Sequence, residues 1–397
     1  MTVHQHTRTA QPYDGSNMDT AIDGTGLPGL GIPVIKEQDR NPTGTFAQWI
    51  NATTKADKKT EIARAHAKEL TNTWGLDIPQ GDTAVICIGR AQWRIKQGAK
   101  VARQRQHDPR RKPRATILKA IVHTRRLPTA VKQSEERWYM PGLDRHWSAD
   151  ETCNAFGVAP GSTMRHALTG KIPINTTLSD SEACSMLGDG ADIGVQRAVL
   201  RIAMSEAGVD GTSDAPVRLA GTCDGIGMMA EAMEQETQGK WEYVRAEEKN
   251  RKKREVLTAS WAHRGMTAER VRHDAHQTTT AELATAPGSD VYVITPDCGK
   301  YSRQSQTDPA IAARETETVA TLLQYATAKR PAIVIMESVA DLLTSTRMRA
   351  CGAAIEHHMQ RALPDYRWYA QVVDPYRHMD TAMSRERAYW MGIKPVP

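Results

Sequence analysis

The chain of 397 residues has no apolar run long enough to cross a bilayer, and its first residues lack the hydrophobic segment of a signal peptide. Its six cysteines are scattered without a CxxC pair, which argues against a zinc site and against a disulfide framework. No GxxxxGKS or GxxxxGKT sequence is present, so a nucleoside without a polyphosphate is favoured over ATP as a ligand. These absences predict a cytoplasmic protein that uses neither a membrane nor a metal.

Charge is unevenly distributed along the chain. The formal net charge is only +6, but residues 90–132 hold fourteen Lys or Arg against one acid, Asp108. A basic run of this kind suits a nucleic-acid backbone, and a solvated basic loop is an equally open explanation. The candidate nucleic-acid-binding residues in it are Arg103, Arg105, Arg110, Arg111, Lys112 and Arg114.

The first half of the chain shows little regular pattern. Residues 1–43 are rich in Gly, Pro, Thr, Asp and Asn, which is typical of a flexible arm. Residues 44–140 combine helical patterns with one short apolar strand at 83–89. Between Ser179 and Gly208 the apolar residues fall on one face at three- and four-residue spacing, which predicts a single helix.

From Val217 onward, apolar strands alternate with helical stretches of ten or more residues. This alternation predicts a doubly wound, mostly parallel α/β sheet covered by helices on both faces, a Rossmann-like arrangement. We expect its strands near residues 217–221, 242–246, 290–295, 331–336, 366–373 and 387–392. In such sheets, ligands lie beyond the carboxyl ends of the strands.

Chemically useful side chains stand at three of these strand ends. Cys298 lies in the turn after the strand at 290–295, Glu337 ends the next strand, and Arg385 and Arg387 precede the last one. Each has a plainer explanation when taken singly, because a lone cysteine is usually a small buried hydrophobe. A glutamate is more often a capping or solvated carboxylate, and a basic pair is usually part of the surface. Their order along the chain is what predicts a catalytic group.

The first turn of the sheet, residues 220–227, contains three glycines that leave room for a nucleoside-like ligand at a helix start. A tight structural turn explains these glycines about as often. The second strand ends at Glu247, where an acid commonly binds ribose hydroxyls.

Taken in order, these motifs resemble the cytosine-C5 DNA methyltransferase family. Residues 220–227 are similar to its cofactor glycine loop, and residues 295–302 (TPDCGKYS) to its Pro-Cys-Gln-x-Phe-Ser loop. Residues 336–339 (MESV) resemble its Glu-Asn-Val motif, and residues 383–387 (MSRER) its Gln-x-Arg-x-Arg motif. The chain departs from the family pattern at five supporting positions, Asp297, Gly299, Ser338, Met383 and Asp189. These departures bear on turnover rate and loop order rather than on the reaction class.

Two further stretches resemble motifs that usually follow the arginine motif but here precede the core. Residues 145–157 resemble the motif behind the recognition domain, and Ser179–Val199, with LGDGA at 187–191, resembles the final Gly-Asn-Ser-Val motif. The resemblance implies a circular permutation, which is plausible because domain termini often lie close together. The implied organisation is a flexible arm at 1–43, a smaller DNA target-recognition domain at 44–140, permuted motifs at 141–210 and a catalytic core at 211–397.

The resemblance implies S-adenosylmethionine as the cofactor and double-stranded DNA as the partner. It assigns Cys298 to attack on C6 of a flipped cytosine, Glu337 to the ring N3 and the exocyclic amine, and Arg385 and Arg387 to the base and a phosphate. Glu247 would bind the ribose and Asp274 the adenine amino group. The implied cofactor-binding residues are Ala220, Gly221, Asp224, Gly225, Ile226, Gly227, Glu247, Asp274, Pro296, Gly188 and Asp189, and Ser302 joins the nucleic-acid-binding candidates.

Other functions stay open at this stage. Asp297 beside Cys298 would raise the pKa of the thiol, which keeps open a DNA-binding or regulatory protein that has lost turnover. An RNA cytosine-C5 methyltransferase and a transferred group other than methyl are further alternatives. A monomer acting on DNA is also compatible with the sequence, in a bacterial cell or a phage-infected host. Membership of a restriction–modification system is open as well.

Overall fold

A computed structural model describes the protein at residues 27–34, 85–87, 122–123, 138–140, 145–210, 215–298, 301, 316–379, 381 and 383–395. Within this part of the chain, no helix has the length and apolar character needed to span a membrane. The predicted arm at 1–43 is described only at residues 27–34, and most of the predicted recognition domain at 44–140 lies outside the described residues.

A small antiparallel sheet precedes the main one in the chain. Its strands, in the order β2-β1-β3-β4, are β1 (Val85–Cys87), β2 (Val122–His123), β3 (Trp138–Met140) and β4 (Arg145–His146). The short strand expected near 83–89 is present as β1. Trp138 and Met140 are buried in the same core cluster as the main sheet, so this sheet is packed against the rest of the molecule.

Helices connect the small sheet to the main one. They are α1 (Ala149–Ala155), α2 (Thr163–Leu168), α3 (Asp180–Asp189) and α4 (Ile193–Ala207). Ser148 and Ser179 begin α1 and α3 with capping boxes, each paired with the glutamate three residues later.

The single helix predicted for Ser179–Gly208 is wrong, because α3 and α4 are separate helices. Gly190 has an extended backbone (φ −81°, ψ −176°) and ends α3. Asp192 then begins α4, since its side chain accepts a hydrogen bond from Val195 N at 3.0 Å. The apolar periodicity that predicted one helix lies mostly within α4, which ends at Gly208 in the left-handed conformation (φ 62°).

The main sheet has seven strands in the order β10-β11-β9-β8-β5-β6-β7. They are β5 (Val217–Thr222), β6 (Trp241–Glu247), β7 (Val271–Arg272), β8 (Val291–Ile294), β9 (Ile333–Val339), β10 (Arg367–Val373) and β11 (Arg387–Ile393). The pairs from β7 to β9 are parallel, and β11 runs antiparallel to both of its neighbours. The predicted mostly parallel sheet is confirmed, with one reversed strand and the short β7 as additions.

Helices cover both faces of this sheet. They are α5 (Met228–Thr237), α6 (Arg251–Trp261), α7 (Thr280–Thr285), α8 (Glu317–Leu322), α9 (Gln324–Lys329), α10 (Asp341–Thr344), α11 (Arg349–Ala362) and α12 (Pro375–His378). Successive residues of β9 alternate between two core clusters, Ile333 and Ile335 in one, Val334 and Met336 in the other. A strand buried on both faces is typical of a doubly wound sheet. The predicted doubly wound, Rossmann-like sheet is therefore confirmed.

The edge strand β10 is covered by the segment Leu27–Val34. Ala370 N donates to Pro28 O (2.9 Å), and the Gln371 side chain bonds both Ile32 N (3.1 Å) and Ile32 O (2.9 Å). Leu30 is fully buried. This segment satisfies an otherwise open sheet edge and brings an early part of the sequence beside the last strands.

Candidate active site at the carboxyl edge of the sheet

A cavity of about 420 Å³ lies along the carboxyl edge of the parallel strands. Its lining comes from the segments that follow β5 to β8, from Glu337 near the end of β9, and from residues 186–196. Because neighbouring strands are about 4.8 Å apart, the edge from β9 to β7 spans about 19 Å. The cavity is long enough for an extended ligand with distinct chemical parts.

The loop that carries Cys298 is held against the first turn of the sheet. Thr295 N donates to Thr222 O (3.1 Å), and Thr295 Oγ1 donates to Cys223 O (2.6 Å). Farther along, Tyr301 N donates to Cys298 O (3.1 Å). These bonds hold the half-buried Cys298 at the cavity wall.

Opposing charges surround the Cys298 thiol. Burial raises its pKa, and the Arg387 guanidinium is the strongest influence in the other direction. The carboxylates of Glu337 and Asp297 raise the pKa further, with Glu337 ahead of Asp297. Asp297 is exposed, and its Oδ2 lies 3.8 Å from Lys249 Nζ. The departure at Asp297 therefore perturbs the thiol less than burial does.

Glu337 and Arg387 form an ion pair beside the thiol. Arg387 Nε lies 2.7 Å from Glu337 Oε1, and the two side chains are only 10% and 8% exposed. Apart from this ion pair, no described residue donates a hydrogen bond to Glu337 Oε1. Burial raises the pKa of Glu337, while Arg387 and then Arg385 oppose the rise. The carboxyl group can thus hold a proton nearer to neutral pH than an exposed glutamate can.

Arg385 joins two distant segments of the chain. Its Nε donates to Gly190 O (2.8 Å) and its Nη2 to Gly188 O (2.5 Å), and the guanidinium lies over the Phe156 ring at 5.6 Å. Its backbone N–H is accepted by Asp374 Oδ1 (2.9 Å). Arg385, a predicted catalytic residue that is 2% exposed, therefore holds the end of α3 at residues 188–190, where Asp189 and Gly190 line the cavity.

Gly225 and Gly227 have different structural roles in the first turn. Gly225 has φ 59°, and a Cβ there would meet no atom within 4 Å, so its open side faces free space. Gly227 has φ 82°, and a Cβ there would lie 2.5 Å from Trp261 Nε1, so this glycine permits close packing of α5 on α6. Of the predicted cofactor residues in this turn, Asp224, Gly225 and Ile226 line the cavity, and Ala220, Gly221 and Gly227 are not part of its lining.

The geometry favours Glu248 over the predicted Glu247 as the acid available to a ligand. Glu247 Oε1 accepts from Arg245 Nη2 (2.6 Å) and from Thr278 Oγ1 (2.9 Å), and Oε2 accepts from Thr222 Oγ1 (2.6 Å). Each Glu248 oxygen accepts one backbone N–H, from Gly225 (2.9 Å) and from Asn250 (2.6 Å). A carboxylate oxygen that accepts one bond retains acceptor capacity, so Glu248 can still bind hydroxyls.

The remaining predicted cofactor residues lie around the cavity. Asp274, Pro296 and Asp189 line it, and Gly188 contributes the carbonyl that Arg385 binds. Asp189 also pairs with Lys253, whose Nζ lies 2.6 Å from Asp189 Oδ2.

The predicted nucleic-acid-binding residues Arg103, Arg105, Arg110, Arg111, Lys112, Arg114 and Ser302 lie outside the described residues.

Sequence reasoning missed Glu248 and Gln196. Glu248 stands directly beside the chosen Glu247, and only its position past the strand end separates them. Gln196 lies on α4, is 2% exposed and lines the cavity. A polar residue on the apolar face of a predicted helix was the available signal for Gln196.

Residues 217–396 match the family model described as C-5 cytosine-specific DNA methylase. A search of curated proteins finds no match.

Among solved structures, the S. pombe Dnmt2 methyltransferase is similar at 15% identity and a TM-score of 0.32, covering 46% of this chain and 51% of that one. TrmN from Thermus thermophilus is similar at 15% identity and a TM-score of 0.32, covering 50% and 48%. The chain spans about half the length of these solved structures.

Proposed function

We propose that the protein transfers a methyl group from S-adenosylmethionine to C5 of cytosine in double-stranded DNA, because residues 217–396 match the family model described as C-5 cytosine-specific DNA methylase. The observation that carries this proposal is the grouping of Cys298, Glu337 and Arg387 at one end of a cavity whose other end is lined by Glu248 and Asp274.

The cavity lining fits the proposed cofactor. S-adenosylmethionine carries positive charge and no phosphate, and the lining contains more carboxylates than amines. Glu248 and Asp274, after β6 and β7, would hold the ribose and the adenine, and Gly225 leaves the space that a ligand needs for close approach. When bound, the cofactor supplies an activated methyl group.

Cys298 would act as the nucleophile. Cytosine C5 is too weak a nucleophile to take a methyl group directly, so the thiolate adds to C6 and increases the electron density on C5. The adduct later loses the C5 proton, and elimination releases the thiolate. Since burial raises the pKa of the thiol, Arg387 matters as the strongest opposing charge.

Glu337 would bind the base as the thiolate attacks. Because burial raises its pKa, the carboxyl group takes up a proton more readily than an exposed glutamate does, and the protonated form would donate a hydrogen bond to ring N3. That bond becomes stronger as negative charge develops on the ring, so it stabilises the transition state. Arg387, 2.7 Å from Glu337, would orient the carboxyl group.

The cytosine would have to leave the duplex to reach these groups, because Glu337 is only 6% exposed. Flipping costs about a few kcal/mol, offset by contacts with the extruded nucleotide. We assign contacts with the DNA backbone to the basic segment 90–132.

A circular permutation would place the segment 145–207 against the catalytic core, and two contacts support it. Arg385 of the arginine motif binds Gly188 and Gly190 of the stretch that resembles the final family motif. The helix α4 packs against α5, which follows the glycine turn.

Mass spectrometry of nucleosides tests the proposal. Duplex DNA of mixed sequence is incubated with S-adenosylmethionine and the full chain, then hydrolysed. Wild type and Cys351→Ala, a buried cysteine on α11, should form 5-methylcytosine, and Cys298→Ser should form none. Methylated cytosine in structured RNA but not in DNA would identify an RNA enzyme. DNA binding without any modified base would instead support a binding protein that has lost turnover.

A further inference from the structure

Two aspartates at positions that depart from the family pattern lie in the cavity wall, and each pairs with a lysine. Lys249 Nζ lies 3.8 Å from Asp297 Oδ2, and Lys253 Nζ lies 2.6 Å from Asp189 Oδ2. All four residues line the cavity. The two departures therefore share a feature, because each supplies the carboxylate of an ion pair in the cavity lining.

The two lysines stand together at the start of α6, on either side of its first residues. Arg254 anchors this segment, because its Nη1 donates to Glu248 O (2.9 Å) and to Lys249 O (2.7 Å). Asn250 caps the helix by accepting a hydrogen bond from Lys253 N (3.2 Å). The backbone that carries the lysines is thus fixed, and their flexible side chains are the parts that can move.

The partners of the lysines belong to other walls of the cavity. Asp189 is the last residue of α3, and Asp297 directly precedes Cys298 in the loop after β8. The lysines follow β6, and β5 lies between β6 and β8 in the sheet. The Lys249–Asp297 pair therefore passes over the end of β5, where the first turn borders the cavity.

The exposed fractions of the side chains place one pair at the opening of the cavity. Lys249 and Asp297 are 76% and 60% exposed although both line the cavity, so they lie where it meets solvent. Lys253 and Asp189 are 14% and 21% exposed, which places them deeper. An exposed pair is weak and screened by salt, so it breaks and forms again without disturbing the fold.

We propose that these two ion pairs form a gate across the cavity, through which the cofactor enters and its product leaves only when the pairs break. This inference rests on the proposed function, because it takes the cofactor to be the ligand of the cavity. Each lysine pairs with a carboxylate of the protein rather than with the ligand. Breaking the pairs should therefore speed entry and exit alike and leave the affinity almost unchanged.

Surface plasmon resonance with the full chain and S-adenosylhomocysteine tests the gate, because it measures association and dissociation rates separately. Lys249→Met and Lys253→Met should each raise both rates by about 2- to 5-fold, the range expected for the loss of one weak ion pair. The dissociation constant should stay within about twofold of wild type. Higher ionic strength should speed exchange in wild type but not in the variant with both substitutions.

Two further variants make the test specific. Lys252→Met removes a lysine of the same helix that pairs with Glu182 of α3, and neither residue belongs to the described lining of the cavity. Both rates should therefore match wild type. Lys249→Asp combined with Asp297→Lys reverses the outer pair and should restore the wild-type rates, whereas Lys249→Asp alone should speed exchange.

The outcomes separate the gate from the proposed function. If the lysine variants exchange S-adenosylhomocysteine at wild-type rates, the gate is overturned while the cofactor assignment survives. A change in the dissociation constant that comes from one rate alone would mean that the lysines contact the ligand directly, which also overturns the gate. If wild type binds no S-adenosylhomocysteine, the proposed function fails and the inference fails with it.

Discussion

Replacing Arg385 by Met should destabilise the protein more than a surface arginine substitution does. The side chain makes two charge-assisted hydrogen bonds to backbone carbonyls, Gly190 O at 2.8 Å and Gly188 O at 2.5 Å. Each such bond contributes about 1.5–3 kcal/mol, so we expect a loss of about 3–6 kcal/mol in the free energy of unfolding. Because Asp189 and Gly190 at the end of α3 line the cavity, affinity for S-adenosylmethionine should fall as well.

Urea unfolding followed by tryptophan fluorescence measures this loss. The control is Arg201→Met, since Arg201 is 51% exposed and pairs with Glu236 on the surface. Its loss should stay below about 1 kcal/mol. If Arg385→Met keeps the stability and cofactor affinity of wild type but no longer methylates DNA, then Arg385 contacts the substrate. Its role in holding residues 188–190 would then be refuted.

Three other predictions follow from buried carboxyl groups. Glu337→Gln should reduce kcat by about 100-fold or more while DNA binding persists, because the proton donor to the base is lost; gel shifts that show lost DNA binding would contradict this. Glu247→Gln should lower the free energy of unfolding, measured in urea, by about 3–5 kcal/mol, because Arg245 is left as an unpaired buried charge. Glu248→Gln should instead weaken the affinity for 5′-methylthioadenosine about 10-fold in calorimetry. Equal effects of the two variants would refute the distinction. Burial raises the pKa of Asp192 from 3.8 to about 7, so the native state keeps a proton that the unfolded state releases. Its contribution to stability is therefore lost between about pH 4 and pH 7, by up to about 4 kcal/mol, and Asp192→Asn should flatten this part of the pH profile of unfolding.

The sheet was predictable because its pattern is local. Each strand of the core is a short apolar run bounded by turn residues, and the helices between them have clear periodicity. The break between α3 and α4 was missed because the apolar periodicity that predicted a helix lies within α4, and the prediction extended that helix back across Gly190 to Ser179. The extended backbone of Gly190 and the hydrogen bond that Val195 N donates to Asp192 Oδ1 distinguish two helices from one.

The candidate site was predictable as a group, but the partners of its members were not. The order of Cys298, Glu337 and the arginines at strand ends identified the edge where they meet. The hydrogen bonds of Arg385 to Gly188 and Gly190 join residues 197 and 195 positions apart, and no local pattern reports such a contact. Choosing between Glu247 and its neighbour Glu248 likewise depends on which oxygens other side chains already occupy.

Covalent trapping tests the central claim most directly. In duplex DNA containing 5-fluorocytosine, the C5 fluorine cannot leave as the proton does, so an adduct between Cys298 and C6 should persist after methyl transfer. We predict a protein–DNA complex that survives denaturing electrophoresis, requires S-adenosylmethionine and maps to the peptide containing Cys298, with none formed by Cys298→Ser. Methylation of normal DNA without this complex, or an adduct on another cysteine, would contradict the proposed mechanism.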